Sequence, residues 1–455
     1  MPDISPARDQ QFARMRDTAR EIFTAALKNA SIENAFARNL HCERRVLRIG
    51  DDLHDLDTYN RVFVVSIGKA AHTMAAALEA QLGSSLEGIV ASSVEPANLV
   101  GPSQVRGFRY FRGGHPTPTT ESIQAAAAIL KSLASLDSTS LAIFMISGGG
   151  SSIVEKPVYD EISLPDLAAT YQTLVHSGAP IADINAIRKH LSAVKGGRLA
   201  QAAYPAQQVS ILVSDVPDDT PDALASGPTM PDSTSIHDCE RIAAKYDLID
   251  QLPKSVADLF RQHALDETPK SDDPAFVRAR WWTVLSNKVA IDEAAVAATR
   301  AGFAVEVDNS CDDWPYDQAA AYLLNRLREL RRNVSRVCLI SGGEVTVTVR
   351  NGGIGGRNQQ FALACAEQIA GLDITILSAG TDGIDGNSSA AGAVVDGSTI
   401  VRADARADAL VAGVEAVRHA LNAFNAYPFF YALGDALVTG HTGNNLRDLR
   451  ILLAY

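Results

Sequence analysis

The chain has 455 residues, of which 46% are apolar and 21% charged, and its net charge is −12 at neutral pH. This composition excludes a disordered chain and is typical of a globular protein of two or three domains. The acidic balance argues against nucleic acid as the main partner, so an anionic ligand would need a local group of positive side chains. Scattered cysteines without CxxC spacing, and the lack of a signal peptide or long apolar run, predict a cytoplasmic protein that does not span a membrane.

The first regular segment is an amphipathic helix, which apolar residues at helical spacing predict over about residues 5–30. An apolar, β-branched strand follows at Val62–Ile67, then Gly68, then Lys69 at the start of a helix. In this position Lys69 could reach an anion at the helix start, although a solvent-facing lysine is the more common explanation of this pattern. The segment is not a Walker A loop, because the spacer and the second glycine are missing.

Two Gly-rich loops follow in the same half of the chain. The loop over residues 110–118 contains His115, which it could present to a site or use only for its own structure. The strand Leu141–Ile146 runs into a set of hydroxyl and backbone donors that predicts an anion nest: Ser147, Gly148, Gly149, Gly150, Ser151 and Ser152. A serine nucleophile is the alternative, but the last glycine of G-x-S-x-G is absent.

Basic residues gather on a helix predicted over residues 184–200. They could form a phosphate-binding patch, although composition alone favours a solvated helix face. The residues are Arg188, Lys189, His190, Lys195 and Arg198. The next strand, Val209–Val213, is followed by Asp215 and Asp219. Acidic side chains at a strand end are typical of a metal-bound phosphate site, so we predict these two as metal ligands.

A charged, proline-interrupted helical segment over about residues 232–280 predicts a domain boundary. We therefore expect an N-terminal domain over residues 1–240, a connector over 241–280 and a C-terminal domain over 281–455. Repetition of strand, polar loop and helix predicts an α/β fold in which ligands bind at the carboxyl ends of parallel strands.

The C-terminal part is organised around residues 336–367. A strand over 337–340 is expected to be followed by a second strand over 345–350, because valines alternate there with Thr346, Thr348 and Arg350. Asn351 and a loop with four glycines in five positions then lead to a helix, and exposed amides beside an arginine predict an anion site. The candidates here are Gly355, Gly356, Arg357 and Asn358, with Thr381 and Asp382 after a later strand.

The motifs resemble, in order and over almost the whole chain, those of the class II glycerate kinases, whose C-terminal part is called the MOFRL domain. They read SIGKAA, GGHPTP, SGGGSS, INAIRKHLSAVKGGRLA, SDVPDD, ASGPT, LSNK, SGGE, GGRNQ, AGTDGIDG, AAGAVVD and TGHTGNNLRDL. The resemblance implies two α/β domains, an N-terminal Rossmann-like parallel sheet and a C-terminal MOFRL domain, with the active site in the cleft between them.

The implied reaction is ATP- and Mg²⁺-dependent phosphorylation of a hydroxyl of D-glycerate, giving 2-phosphoglycerate, or of a related sugar acid. The implied partners are this hydroxy acid and the nucleotide, without nucleic acid or membrane, for a monomer or homodimer. Phosphoryl transfer assigns Lys69 to the transferring phosphate, Arg357 to the substrate carboxylate or the same phosphate, and Asp215 to Mg²⁺ or the acceptor hydroxyl.

Several positions depart from the family pattern: Asp218, Thr220, Gln360, Ser389, His441 and Asn444. Thr220, Gln360 and Ser389 each stand where the family has a carboxylate, which leaves the natural substrate open. An NAD(P)-dependent hydroxypyruvate reductase is the first alternative, but Gly353–Asn358 lacks the third glycine of a dinucleotide fingerprint. A non-catalytic sugar-acid-binding protein is the second, and no DNA-binding helix-turn-helix is evident in support of it.

Overall fold

The computed structural model describes residues 6–83, 86–94, 105–349, 352–406 and 413–455. The chain divides into two compact units: unit 1 comprises Met1–Ser31 and Leu285–Tyr455, and unit 2 comprises Ile32–Val284. This division differs from the expected domain limits in two ways. The first helix groups with the C-terminal half, and the expected connector over 241–280 lies within unit 2.

The strands are Leu40–Glu43 (β1), Val46–Ile49 (β2), Asp52–Asp55 (β3), Arg61–Ile67 (β4), Glu87–Ser92 (β5), Phe108–Arg112 (β6), Ser140–Ser147 (β7), Gln207–Val213 (β8), Ala279–Leu285 (β9), Ala304–Val307 (β10), Val337–Ser341 (β11), Ile374–Gly380 (β12), Gly392–Asp396 (β13), Ala436–Leu437 (β14) and Asp448–Ala454 (β15).

The helices are Pro6–Asn29 (α1), Ile32–Asn39 (α2), Ala71–Leu82 (α3), Thr120–Leu133 (α4), Gly150–Ile153 (α5), Leu164–His176 (α6), Ile181–Leu191 (α7), Arg198–Ala203 (α8), Ile236–Lys245 (α9), Lys254–Arg261 (α10), Asn287–Arg300 (α11), Tyr316–Arg331 (α12), Arg357–Ala366 (α13), Thr399–Arg406 (α14), Gly413–Asn422 (α15) and Ala426–Leu433 (α16). The sequence also predicts a helix near residues 408–425. Its described part is α15, and residues 408–412 lie outside the described residues. Within the described ranges, no helix is long and apolar enough to cross a membrane.

The main sheet of unit 2 has the order β6-β5-β4-β7-β8-β9 over the described residues. Strands β4 to β8 pair in parallel, which confirms the Rossmann-like parallel sheet predicted for the N-terminal half. From β4 the chain goes to one side for β5 and β6, then to the other side for β7 and β8. This reversal makes the carboxyl ends of β4 and β7 a topological switch point, the place where open α/β sheets bind ligands.

The core of unit 2 has two parts. Alternate residues of the sheet, such as Phe63, Val65 and Ile67 of β4, pack with α4 and α8. Helices α6, α7, α9 and α10 pack together in a separate apolar cluster, to which they contribute Leu167, Ile187, Ile242 and Phe260. Strands β1 to β3 form a small antiparallel sheet of their own.

The sheet of unit 1 has the order β10-β11-β15-β12-β13-β14 among the described strands. Its β10–β11 pair is parallel, but β15 runs antiparallel between β11 and β12. The expectation of parallel strands therefore fails here, because the last strand of the chain inserts into the middle of the sheet. One face packs on α1 and α11, and the other on α12 and α13. The burial of Ile22, Phe23 and Ala26 of α1 on the first face explains why the first helix belongs to this unit.

The prediction of a strand over residues 345–350 is wrong for the residues of this range that the structure describes. Thr346 forms an isolated bridge with Pro315, and Val347 to Val349 lie outside any strand. The Thr346 amide donates to the Trp314 carbonyl at 2.8 Å, so this backbone pairs with the turn before α12 and not with a neighbouring strand. Arg350 and Asn351 lie outside the described residues.

Candidate functional site

The turn after β4 and the loop after β7 form one hydrogen-bonded unit at the switch point of unit 2. The Lys69 amide donates to the Gly148 carbonyl at 2.9 Å, and the Ala70 amide donates to Ser147 Oγ at 3.1 Å. Ser147 Oγ in turn donates to the Ile67 carbonyl at 3.3 Å. The structure thus brings together the two loops that the sequence predicts as anion-binding.

Four chemically useful groups meet around Gly148 and Gly149. A Cβ atom at Gly148 would collide with the Asp215 carboxylate. A Cβ atom at Gly149, whose φ is +81°, would lie 3.2 Å from Lys69 Cγ and 3.0 Å from His115 Cδ2. Glycine is required here because any larger residue would displace these side chains. We call this group, made of Lys69, His115, Asp215 and the Ser147–Ser152 loop, the strand-end site.

Lys69 is half-buried, and its ammonium group has no carboxylate partner among the residues that the structure describes. The remaining residues of the predicted nest partly bond to one another. Gly150, Ser151 and Ser152 belong to the short helix α5, and Ser152 Oγ donates to the Gly149 carbonyl at 3.3 Å. Asp219 is exposed on the turn that follows Asp215. The described residues contain no group of three or more His, Cys, Asp or Glu arranged to hold a metal.

Lys195 belongs to a buried ion-pair cluster. Its side chain is therefore neither part of an exposed phosphate-binding patch nor on a solvated helix face, the two alternatives that the sequence offers. The predicted helix over 184–200 ends at Leu191, and Lys195 lies in the turn before α8. Its side chain, 1% exposed, pairs with the buried Glu155 carboxylate. Glu155 also accepts from Tyr171 Oη and, at 2.6 Å, from Ser192 Oγ. Sequence reasoning missed Glu155, an isolated acidic residue in an apolar context.

The three basic residues at the end of α7 are also engaged inside unit 2. Lys189 Nζ lies 3.2 Å from both Asp222 and Asp232, and the Arg188 guanidinium lies over the Tyr171 ring at 4.6 Å. His190 Nε2 lies 2.8 Å from Glu267 Oε1. Burial opposes ionisation of Glu267, yet hydrogen bonds from Lys270 and His190 outweigh it and lower its pKa to about 2.

In unit 1, Arg357 is held by two carboxylates. Its Nε and Nη2 donate to Asp448 at 2.6 and 3.0 Å, and Nη2 lies 2.8 Å from Glu344. Burial would lower the pKa of Arg357, but the charges of Asp448 and Glu344 outweigh this and raise it. This guanidinium therefore stays charged and fixed in orientation.

Two more arginines complete what we call the arginine cluster, which consists of Arg357, Arg447 and Arg450 with Asp312, Glu344 and Asp448. Arg447 binds Asp312 through two hydrogen bonds of 2.7 and 2.6 Å. Arg450 is fully buried and donates to the carbonyls of Gly342 and Gly343. The motif TGHTGNNLRDL contains Arg447 and Asp448, but no local pattern indicates that they pair with Asp312 and Arg357, which lie far away in the chain.

The amides at the start of α13 already bind a carboxylate of the chain itself. Asp385 accepts from the Asn358 and Gln359 amides at 3.0 and 2.9 Å, and the Gly355 amide donates to Asn387 Oδ1 at 2.9 Å. Gly356 packs so closely on Asp385 that a Cβ atom would collide with it. Burial and then the nearby Asp448 charge raise the pKa of Asp385 to about 6, against the hydrogen bonds that it accepts.

Thr381 and Asp382 connect the end of β12 to the loop before β15. Thr381 Oγ1 donates to the Arg447 carbonyl at 2.8 Å and accepts from the Leu446 amide at 2.7 Å. Asp382 Oδ1 accepts from the Ile384 amide at 3.1 Å. Both residues thus order the loop that carries Arg447 and Asp448, and a direct role in ligand binding stays a prediction.

Comparison with known proteins gives two family matches, one in each half of the chain. Residues 18–261 match the domain of unknown function DUF4147, and residues 337–448 match the MOFRL family. A D-glycerate 2-kinase of Thermotoga maritima is 35% identical over 399 residues, covering 86% of this chain and 90% of that protein. A protein of Agrobacterium vitis with the provisional name hydroxypyruvate reductase is 35% identical over 96% of this chain and 94% of its own length.

A solved structure of a glycerate kinase from Thermotoga maritima has a TM-score of 0.82 and 31% identity, covering 97% of this chain and 100% of that one. Both the fold and the sequence relatives therefore define a two-domain α/β enzyme with a C-terminal MOFRL domain. The chain belongs to the family of these glycerate kinases.

Proposed function

We propose that the chain transfers the γ-phosphate of ATP, with Mg²⁺, to a hydroxyl of D-glycerate, giving 2-phosphoglycerate, or of a related small sugar acid. The observation that carries this proposal is the ammonium group of Lys69, which lies at the switch point without a carboxylate partner in the described part of the chain. Its charge is available for an anionic ligand. The names of the kinase relatives support the same reaction.

Phosphoryl transfer needs positive charge at the transferring phosphate and a positioned nucleophile, both of which the strand-end site offers. Lys69 would bind the transferring phosphate beside the backbone donors of the Ser147–Ser152 loop. A single hard carboxylate suits Mg²⁺, which takes its remaining ligands from phosphate and water. Asp215, which packs against Gly148, would hold the ion, and Mg²⁺ would then neutralise charge on the phosphate.

Arg357 stays our candidate for the substrate carboxylate. Asp448 and Glu344 fix its Nε and Nη2 groups, while Nη1 makes no hydrogen bond to the described residues. Nη1 is thus available to an anion, while the bonds of Nε and Nη2 to Asp448 set the orientation of the guanidinium.

The reductase name of the Agrobacterium vitis relative makes hydride transfer the second candidate. The geometry around α13 does not favour it. The Asn358 and Gln359 amides, where a dinucleotide phosphate would bind, are occupied by Asp385.

The test is an assay of the purified chain with ATP, Mg²⁺ and a panel of small hydroxy acids, following ADP release and the phosphorylated product by ³¹P NMR. We expect phosphate transfer to D-glycerate or a related acid. A parallel assay follows NAD(P)H oxidation by hydroxypyruvate, and a reductase rate above the kinase rate would overturn the proposal.

A further inference from the structure

We propose that His115 is a catalytic residue of the strand-end site, which binds the acceptor hydroxyl of the substrate and takes its proton during phosphate transfer. This inference rests on the proposed kinase function and adds to it the residue that handles the proton. The sequence left His115 undecided between a site residue and part of a loop structure.

The loop that carries His115 is fixed on both sides. It follows β6, at the same edge of the parallel sheet as Lys69 and Ser147. The Gly113 amide donates to the Ser92 carbonyl at 3.1 Å, and the Gly114 amide donates to Ser122 Oγ at 2.9 Å. The backbone immediately before His115 is therefore anchored to the end of β5 and the start of α4.

The imidazole lies directly beside Lys69. From the position that a Cβ atom on Gly149 would take, His115 Nε2 is 3.3 Å away and Lys69 Cγ is 3.2 Å away. The absence of a side chain at residue 149 is what leaves room for both. Because Lys69 is assigned to the transferring phosphate, the neighbouring imidazole would be placed to meet a hydroxyl that attacks this phosphate.

His115 is free to bind a ligand. Its side chain is exposed, and neither ring nitrogen makes a hydrogen bond to any residue in the described ranges. The buried His190, in contrast, has both nitrogens close to chain oxygens at 2.8 Å. Unlike His190, whose nitrogens are taken up by the fold, His115 keeps both ring nitrogens available to a ligand.

Its protonation state suits this role. Desolvation by surrounding atoms and then the positive charge of Lys69 lower the pKa of His115, so the ring is neutral at physiological pH. A neutral imidazole has one nitrogen that accepts a hydrogen bond. An ionised phosphate oxygen has no proton to donate to this nitrogen, whereas the hydroxyl of the acceptor does.

In the proposed step, the hydroxyl oxygen forms a bond to the γ-phosphorus while the bond from this phosphorus to the bridging oxygen of ADP breaks. The hydroxyl proton passes to the accepting nitrogen of His115 and then to solvent. Lys69 stays protonated throughout and stabilises charge on the phosphate.

The test compares His115→Ala, His115→Gln and a matched control, His237→Ala, which removes another exposed histidine of unit 2. We expect both changes at residue 115 to lower kcat about 100-fold or more, with little change in KM for the hydroxy acid. We also expect added imidazole to restore activity to His115→Ala, but not to Lys69→Ala.

Wild-type kcat in His115→Ala or in His115→Gln would overturn the inference, the latter because glutamine keeps a hydrogen bond but takes no proton. Failure of imidazole rescue in a folded His115→Ala protein would also overturn it. Absence of phosphate transfer by the wild-type chain would instead overturn the proposed function itself.

Discussion

Lys69 in the strand-end site lacks a carboxylate partner among the described residues, whereas Arg357 and Arg447 in the arginine cluster are each held by carboxylates. Lys69 and Arg357 each follow a glycine near the start of a helix, and both were expected to bind anions. A cation that is matched by carboxylates has a fixed orientation and a balanced charge, so an anionic ligand can use only the N–H groups that remain. An unmatched cation can bind an anionic ligand without first releasing a partner.

The glycines of the two regions also differ in which groups pack against them. Gly148 and Gly149 make room for side chains from other parts of unit 2, namely Asp215, Lys69 and His115. The loop before α13 brings its backbone against Asp385, which binds the helix amides. The glycines therefore predict that another group packs closely against the backbone of each loop. Whether a ligand can bind there depends on whether that group already occupies the backbone amides.

The largest expected effect concerns a third region, the buried pair of Lys195 and Glu155, where a cation is fully matched by a carboxylate. Glu155→Gln leaves the buried Lys195 ammonium without its carboxylate, so we expect a loss of about 3–5 kcal/mol in the free energy of unfolding. Chemical denaturation measures this loss, with the exposed Glu161→Gln as the control. A change as small as that of the control would mean that the pair contributes nothing to stability.

The next prediction tests Lys69, the cation without a carboxylate partner among the described residues. Lys69→Ala should lower kcat about 100-fold or more, because the lysine would stabilise charge in the transition state. Its unfolding midpoint should stay unchanged, because the ammonium group has no carboxylate to lose within the described residues. Steady-state kinetics and thermal melts check both, with the exposed Lys131→Ala as the control. If Lys69→Ala had wild-type kcat and KM, Lys69 would be only a solvated surface residue.

Arg357→Lys should affect both activity and stability. A lysine keeps the charge but cannot reproduce the two bonds to Asp448, so we expect about 2 kcal/mol less stability together with severely reduced kcat/KM. The matched control is Arg418→Lys, because Arg418 makes a similar two-bond pair with Glu367 while its side chain is 56% exposed. Equal effects at the two positions would contradict a special role for Arg357.

The smallest expected effect is a pH dependence at Asp385. Because its folded-state pKa, about 6, lies above that of an unfolded aspartate, protonation favours the folded state as pH falls. We expect the stability of the wild type relative to Asp385→Asn to increase by about 1 kcal/mol between pH 6.5 and 5. Denaturation series of both proteins measure this difference. A difference that shrinks as pH falls would show that the pKa of Asp385 is depressed instead.

Much of the fold follows from the sequence. Apolar β-branched runs predict β4, β7 and β8, and the helical spacing of apolar residues predicts α1, because burial of one face acts over a few neighbouring residues. The same reasoning placed Lys69 and the Ser147–Ser152 loop at strand ends. Their alternation with helices was enough to predict a parallel sheet in unit 2.

Other features depend on residues that are far apart in the chain. The final strand β15 inserts between β11 and β12 and runs antiparallel to both, and no local sequence pattern indicates where a strand inserts. Likewise, Lys195 pairs with Glu155, 40 residues before it, and Arg357 with Asp448, 91 residues after it. The sequence by itself thus determined which segments form strands, helices and polar loops. The tertiary structure alone decided which basic residues are balanced by carboxylates, because charge pairing depends on distance in space and not on distance along the chain.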